Sequence, residues 1–558
     1  MEKITHLLRT QAQIKEATGQ PGSRAILKSL GRLTGKSCSK LAGYIRVGTV
    51  ALTSCVWLAW GSDAIAQIIP DETWGAEQSM PAFNAPLLDG TLADVLIKAG
   101  ARRDSNLFHS FEQFDIGELQ RVYFDSPQGI ENIFSRVRGN DASDILGTLG
   151  VNGGANLFFI NPNGIIFGEN ASLDVQGSFV ATTANGIQFG EQGFFSTTQS
   201  DVPSPLLTVN PSAFLFNQIT PGRIESRSIK EVGFDPSGFP LFGLQVPDGQ
   251  SLLLVGGDIL IDGGGIGGGL AAVEGRVELA AVAGSGTVGL SVDGSTLSLN
   301  VPPEIPRADI ALTNGAFVTT ASEGGGDIQV WGKEITLTDF SQLFSGSVGA
   351  GKGGNIVVNA SELVEARDFG SGFFADSNAA GDGGDVTVTT PVLQLRDGAQ
   401  IVTATRGTGN AGNIVVNASE SVQVSGGVIF DGMRRSSGLR TDALFGEGNG
   451  GDITINTPVL EMKDGAVIAS SSSRDSTGNG GDITVVALES VQLMGESRLT
   501  SQTAGEGDAG NLRIDTPLLM VQNQAQITAD TIRRGKAGII EINAAGIESY
   551  SYPNFVRT

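Results

Sequence analysis

Few residues in this 558-residue chain have the type and spacing to do chemistry. There are two histidines, His6 and His109, and two cysteines, Cys38 and Cys55. A zinc site draws three or four ligands from such residues, and a Ser-His-Asp triad needs a histidine beside its nucleophile. Neither is assembled here, and His109 reads as a core or turn residue. The carboxylates are more numerous. Asp382 with Asp385, or Asp452 with Asp482, could in principle form the acid–base pair of a glycosidase or lyase. Their regular placement in a repeat argues for structure instead. The run Gly446-Glu447-Gly448-Asn449-Gly450-Gly451-Asp452 resembles a calcium-binding nonapeptide, but its spacing leaves an ion without a second loop of ligands. No GxxxxGK[ST] phosphate loop occurs. No catalytic residue, metal or cofactor is implied, and an enzyme is not expected.

The elements that would position any such group are legible. An Asp or Asn after glycine recurs at Asp327, Asn355, Asp385, Asn413, Asp452, Asp482 and Asn511, with a degenerate copy at Gly538-Ile539. The steps are 28, 30, 28, 39, 30, 29 and 28 residues, the long one carrying an insertion around Asp431 to Glu447. Within a unit the apolar residues alternate, as in Asp452-Ile-Thr-Ile-Asn-Thr457, and helical spacing is missing. With 79 glycines the chain is predicted to be all-β. Three short strands per coil, stacked coil on coil, make a right-handed parallel β-helix, a solenoid of about 17–20 coils. The glycines are read as corners with positive φ, and the Asp/Asn side chains as caps on backbone donors. Gly263 to Gly269 is read as a loop.

The N-terminus addresses export. Residues 1–66 hold nine Lys/Arg and three Asp/Glu, an apolar run from Val47 to Trp60, and an Ala64-Ile65-Ala66 exit before Gln67. A basic region, a short apolar stretch and a small-residue exit are the parts of a secretory signal, here an extended one cut after Ala66. The run is short of the ~20 residues that span a bilayer. The full chain carries −23, and losing a +6 segment leaves −29. Both cysteines leave too, so the remainder can form no disulfide. That acidity argues against nucleic acid as a partner.

Ala155 to Gly168 joins two apolar strands, Leu157–Ile160 and Ile165–Phe167, through Asn161-Pro162-Asn163-Gly164. Pro162 presets φ, Asn161 accepts from backbone N–H groups, and Gly164 closes the turn. Around it lie Asn106-Leu107-Phe108-His109-Ser110-Phe111, Asn132-Ile133-Phe134-Ser135-Arg136-Val137-Arg138-Gly139 and Ala171-Ser172-Leu173-Asp174-Val175-Gln176-Gly177-Ser178-Phe179-Val180-Ala181-Thr182-Thr183-Ala184. Over residues 85 to 200 this order of motifs resembles the N-terminal secretion domain of filamentous-haemagglutinin-like exoproteins of two-partner secretion systems. The family's second short motif, Asn-Pro-Asn-Leu, is absent, so only Asn161, Pro162, Asn163, Gly164 and Ile165 carry over.

The resemblance implies an N-terminal β-helical secretion domain met in the periplasm by an outer-membrane β-barrel transporter. Asn161 to Ile165 would serve transporter recognition or early folding. The expected layout is a signal at 1–66, a secretion domain at 67–215, transitional coils at 216–320 and regular repeats at 321–558. The expected product is a secreted or cell-surface, haemagglutinin-like adhesin that meets a host-cell, glycan or matrix ligand. A self-associating surface-layer component is the alternative, with a β-helix polysaccharide lyase or hydrolase behind it.

Overall fold

A computed structural model describes residues 67–550 apart from Ser295, together with Val556–Arg557. Ala64 and Ala66 of the expected cleavage site lie outside the described residues; Gln67 is the first inside and is exposed. The described residues from Gln67 on form a parallel β-helix, as the repeat predicts.

One face is a continuous parallel ladder of the strands Asn106–Phe114, Asn132–Val137, Asn156–Ile160, Phe179–Thr182, Ser251–Gly256, Arg276–Ala281, Asp327–Leu337, Ile356–Arg367, Val386–Arg396, Ile414–Ser425, Ile453–Lys463, Ile483–Leu493, Leu512–Gln522 and Ile540–Tyr550. That is fourteen coils among the described residues, fewer than the 17–20 expected. The shortfall has a clear cause: three segments leave the coil path. Two of them, Gly186–Phe216 and Gly286–Asn300, build a separate sheet, and the third is the hairpin of Glu231–Phe234 with Pro240–Phe242.

From the seventh coil on, the first and second strands of each unit fuse into one bent strand of 11–12 residues with a register shift at the bend. Three bends are Thr-Pro pairs. There Thr390, Thr457 and Thr516 donate to the carbonyls of Val392, Val459 and Leu518, two residues on, at 3.0–3.2 Å. Alternation then fills the interior. Ile328, Ile356, Val386, Ile414, Ile453, Ile483 and Leu512 form one buried column along the axis. Each fully buried aliphatic side chain contributes ~1.5–3 kcal/mol, so stacking rather than any single coil holds the unit together.

Apart from Gly325, which takes φ +64, the glycines before the Asp/Asn positions do something other than the positive-φ corner expected of them. Gly354, Gly384, Gly412, Gly451, Gly481 and Gly510 have ordinary φ. A Cβ on any of them would land on the backbone carbonyl of the matching glycine one coil back. They are a column of close backbone contacts. Positive φ is used instead at the Asp-Gly turns Asp397-Gly398 and Asp464-Gly465. Gly263–Gly268 is a turn, as expected, and Gly269 already starts the strand Gly269–Ala271.

A second core sits outside the first face of the early coils. Gly186–Gln188, Phe194–Ser196, Ala213–Phe216, Gly286–Asp293 and Thr296–Asn300 pair antiparallel into a five-stranded cover. Its Ile187, Phe195, Phe214, Val288 and Leu297 pack on Phe108, Phe134, Phe158, Val180 and Leu253, which the coils point outward. Phe108, Phe134 and Phe158 stack at 5.0 and 4.7 Å.

Candidate functional site

Asn161 to Gly164 forms the corner between the first and second strands of the third coil, and the flanking strands are Asn156–Ile160 and Ile165–Phe167. Continuous apolar runs make the strands, Leu157 and Phe159 facing the interior and Phe158 and Ile160 the cover sheet, and the proline-containing tetrapeptide has to break them. The Asn161 side chain is fully buried. Its Oδ1 accepts from the Asn163 N–H at 3.0 Å, which fixes the turn. Its Nδ2 donates to the Asp141 carbonyl and the Ser143 hydroxyl, each at 3.0 Å, in the preceding coil. The backbone completes the join. Asn161 N–H donates to Thr182 O, Ile165 N–H to Arg223 O, and Gly222 N–H to Pro162 O, all in the following coil at 3.0 Å. Gly164 takes φ +131, and a Cβ there would meet Arg223 O at 3.1 Å. Pro162 and Ile165 are buried. Asn163 alone is exposed, its Nδ2 donating to Gly139 O at 2.7 Å. The five expected residues are therefore one unit, a corner that bonds the coil before it to the coil after it.

The Asp/Asn caps form two ladders. In one, the Oδ1 of Asp327, Asn355, Asp385, Asn413, Asp452, Asp482 and Asn511 each accepts the N–H of its counterpart one coil on, at 2.6–3.1 Å. A second runs through Asp382, Asn410, Asn449, Asn479 and Asp508 to the Lys536 N–H at 2.7–3.1 Å. The proposed acid–base carboxylates are thus distributed between these ladders as backbone caps. The same register column carries Asn and Ser in the early coils, separated from the first ladder by Arg276, which lies between Ser251 and Asp327. Asn132 donates to Asn106 Oδ1 at 3.1 Å and Asn156 to Asn132 Oδ1 at 3.0 Å; Ser178 N–H donates to Asn156 Oδ1 and Ser251 N–H to Ser178 Oγ, both at 2.8 Å.

One functional cluster escaped the sequence reading. Asp71, in the segment leading into the coils, is buried between Arg138 (2.8 Å) and Arg136 (3.9 Å). Burial pushes its carboxyl up, but hydrogen bonds from Thr73, Ser110 and Arg138 more than offset this and hold it below the usual carboxylate range. The Arg136 guanidinium lies between Trp74 (4.9 Å) and Phe195 (4.6 Å), with Ser110 Oγ at 3.0 Å and the Ser196 carbonyl also accepting from it. Burial, then the Arg138 charge, lowers its pKa to about 9. This clasp ties the leading segment, two coils and the cover sheet together. The Arg136-x-Arg138 spacing was the available signal, since alternate strand residues share a face.

His109 is buried against Phe111 and Phe124, with Nδ1 3.0 Å from Ser79 Oγ. Burial lowers its pKa to about 3, so it is a neutral core imidazole at physiological pH. Among the described residues no group of three or more His, Cys, Asp or Glu is placed to hold a metal.

A family model described as the TPS secretion domain matches residues 66–330. Two curated relatives are heme/hemopexin-binding proteins of Haemophilus influenzae. One is 30% identical over 138 residues, 25% of this chain and 13% of the relative. The other, from strain Rd, is 37% identical over 83 residues, 15% of this chain and 9% of the relative. The matched stretch therefore spans only about a tenth of either relative. Among solved structures, the HMW1 secretion domain of H. influenzae aligns at 16% identity and TM-score 0.45, over 87% of this chain and 99% of that one. A filamentous hemagglutinin secretion domain aligns at 16% identity and TM-score 0.23, over 64% and 98%.

Proposed function

We propose, from the match of residues 66–330 to the TPS secretion domain, how this chain leaves the cell and what it does outside. A dedicated outer-membrane β-barrel transporter takes the unfolded chain from the periplasm after a signal cut between Ala66 and Gln67. The early coils fold first at the outer surface, and each later coil stacks on them. Burial at ~25 cal/mol per Å² of apolar surface then opposes back-sliding without a nucleotide.

Asn161 to Ile165 acts in this scheme as a folding corner. The observation that carries this is the Asn161 side chain, fully buried and bonded to the coil before it and to its own turn. A transporter could touch it only before the coil forms. The test is secretion of Asn161→Ala and Asn163→Ala variants, followed by fractionation with and without the partner transporter. Loss of export for Asn161→Ala with near-normal export for Asn163→Ala is expected. Equal loss from both would favour direct recognition of the turn's exposed side.

The exported solenoid is an adhesin held at or released from the cell surface. Support comes from the domain family and from polar outward columns on the repeats, such as Asn417, whose Oδ1 accepts from Asn456 Nδ2 at 2.9 Å. Cell or glycan binding by the purified chain tests this; self-association without such binding would favour the surface-layer alternative, and turnover of a polysaccharide the enzymatic one.

A further inference from the structure

The longest repeat step inserts a hairpin, Gly427–Phe430 with Met433–Ser436, just after Ser425 at the end of a coil strand. The hairpin is held in place. Phe430 stacks on Phe369 at 4.8 Å, and Arg434 donates to the Asp464 carbonyl. Beside it, two outward columns cross the second face of four consecutive coils. One runs Glu365, Gln394, Gln423, Glu461; its neighbour runs Arg367, Arg396, Ser425, Lys463. The small Ser425 between two long cations opens a cavity of about 250 Å³ lined by Arg396, Gln423, Val424, Ser425, Glu461 and Lys463.

We propose that this notch is a carboxylate subsite for an acidic polysaccharide of the polyuronate class lying along the coil axis. It deepens the adhesion reading and rests on it for the source of the ligand. A polyuronate offers one carboxylate and several hydroxyls per sugar. The face offers a cationic position beside an amide or carboxylate position in three of the four coils, with Ser425 in the remaining one, at a rise of ~4.8 Å that is close to one sugar of an extended chain. An acidic peptide fits less well, because the backbone groups of these interior strands are already paired in the ladder and leave none for a peptide main chain.

Each cation is already engaged. Arg367 is 3.7 Å from Asp368, Arg396 is 3.6 Å from Glu365, and Lys463 is 3.1 Å from Glu461. The ligand carboxylate must compete with these partners. That gives the site a gain-of-function signature: Glu461→Gln keeps the side-chain shape, frees Lys463 and tightens binding.

The experiment is calorimetric titration of the purified chain with oligogalacturonate, its methyl ester and polyglutamate at low salt. Expected are binding of oligogalacturonate that weakens with added salt, none of the methyl ester, and weaker binding of polyglutamate. Glu461→Gln should bind several-fold tighter. Arg396→Ala with Lys463→Ala should lose at least about tenfold, the scale of one charge-assisted contact. No binding by either wild type or E461Q, an unchanged affinity in E461Q, or equal binding of polyglutamate would overturn the proposal. Secretion of E461Q is expected to be normal, so a negative titration leaves the export reading standing.

Discussion

Replacing Asn161 by alanine separates a folding corner from a recognition signal, and its size follows from the bonds. The substitution removes two donations from Nδ2, to Asp141 O and Ser143 Oγ, and two acceptances by Oδ1, from Asn163 N–H and, at 3.3 Å, from Asn163 Nδ2. Ser143 is buried and is left without this partner, whereas Asp141 is exposed and regains water. At ~0.5–1.5 kcal/mol per net hydrogen bond, with ~1–3 kcal/mol for a stranded buried group, the loss is about 3 kcal/mol. Asn163→Ala removes the exposed contact to Gly139 O and a longer one, 3.3 Å, to Asn161 Oδ1, and is expected to lose about 1 kcal/mol. Because a solenoid opens locally, the readout is amide hydrogen exchange at Asn161 and Ile165. Their N–H groups bond to Thr182 and Arg223 in the next coil. Exchange should accelerate by roughly two orders of magnitude in Asn161→Ala and by no more than about tenfold in Asn163→Ala, at 1.36 kcal/mol per decade. A change below ~0.5 kcal/mol in Asn161→Ala, combined with lost export, would refute the folding role and leave recognition of the unfolded chain.

Three further outcomes are expected. Asp71→Asn leaves Arg136 buried without its counter-charge, while Arg138 keeps Glu112 at 3.3 Å, and should destabilise the early coils by ~3 kcal/mol, read by denaturant unfolding followed through Trp74 fluorescence. His109 titrates at about 3 when folded against 6.5 when free, so the unfolded state binds more protons between those values. Stability should be full above about pH 6.5 and fall by ~1.4 kcal/mol per unit below it, a slope that His109→Gln removes in unfolding curves at pH 4.5 and 7.5. Gly412→Ala forces a Cβ onto the Gly384 carbonyl and should cost about 1–3 kcal/mol or more. Gly324→Ala, which meets nothing within 4 Å, should stay within ~0.5 kcal/mol by the same thermal melt.

The sequence by itself determined whatever repeats or is local. Period-two alternation gave the strands, the Asp/Asn steps gave the coil, and Asn-Pro-Asn-Gly gave a corner, because each is set by residues adjacent in the chain or one coil apart. The likeness to the TPS secretion domain was legible for the same reason, through the order of short motifs between Asn106 and Ala184. Tertiary structure decided the rest. The cover sheet pairs Ala213–Phe216 with Gly286–Asp293, strands some seventy residues apart whose partner choice no local pattern encodes. It also explains why Phe108, Phe134 and Phe158 point outward yet stay dry. The glycines kept their positions and changed their reason, since a carbonyl one coil away rather than a backbone torsion excludes the side chain. Arg136 shows the limit most plainly. In sequence it is one cation in a strand; only the arrival of Asp71 and Trp74 from the leading segment and Phe195 from the cover sheet makes burial of its charge tolerable.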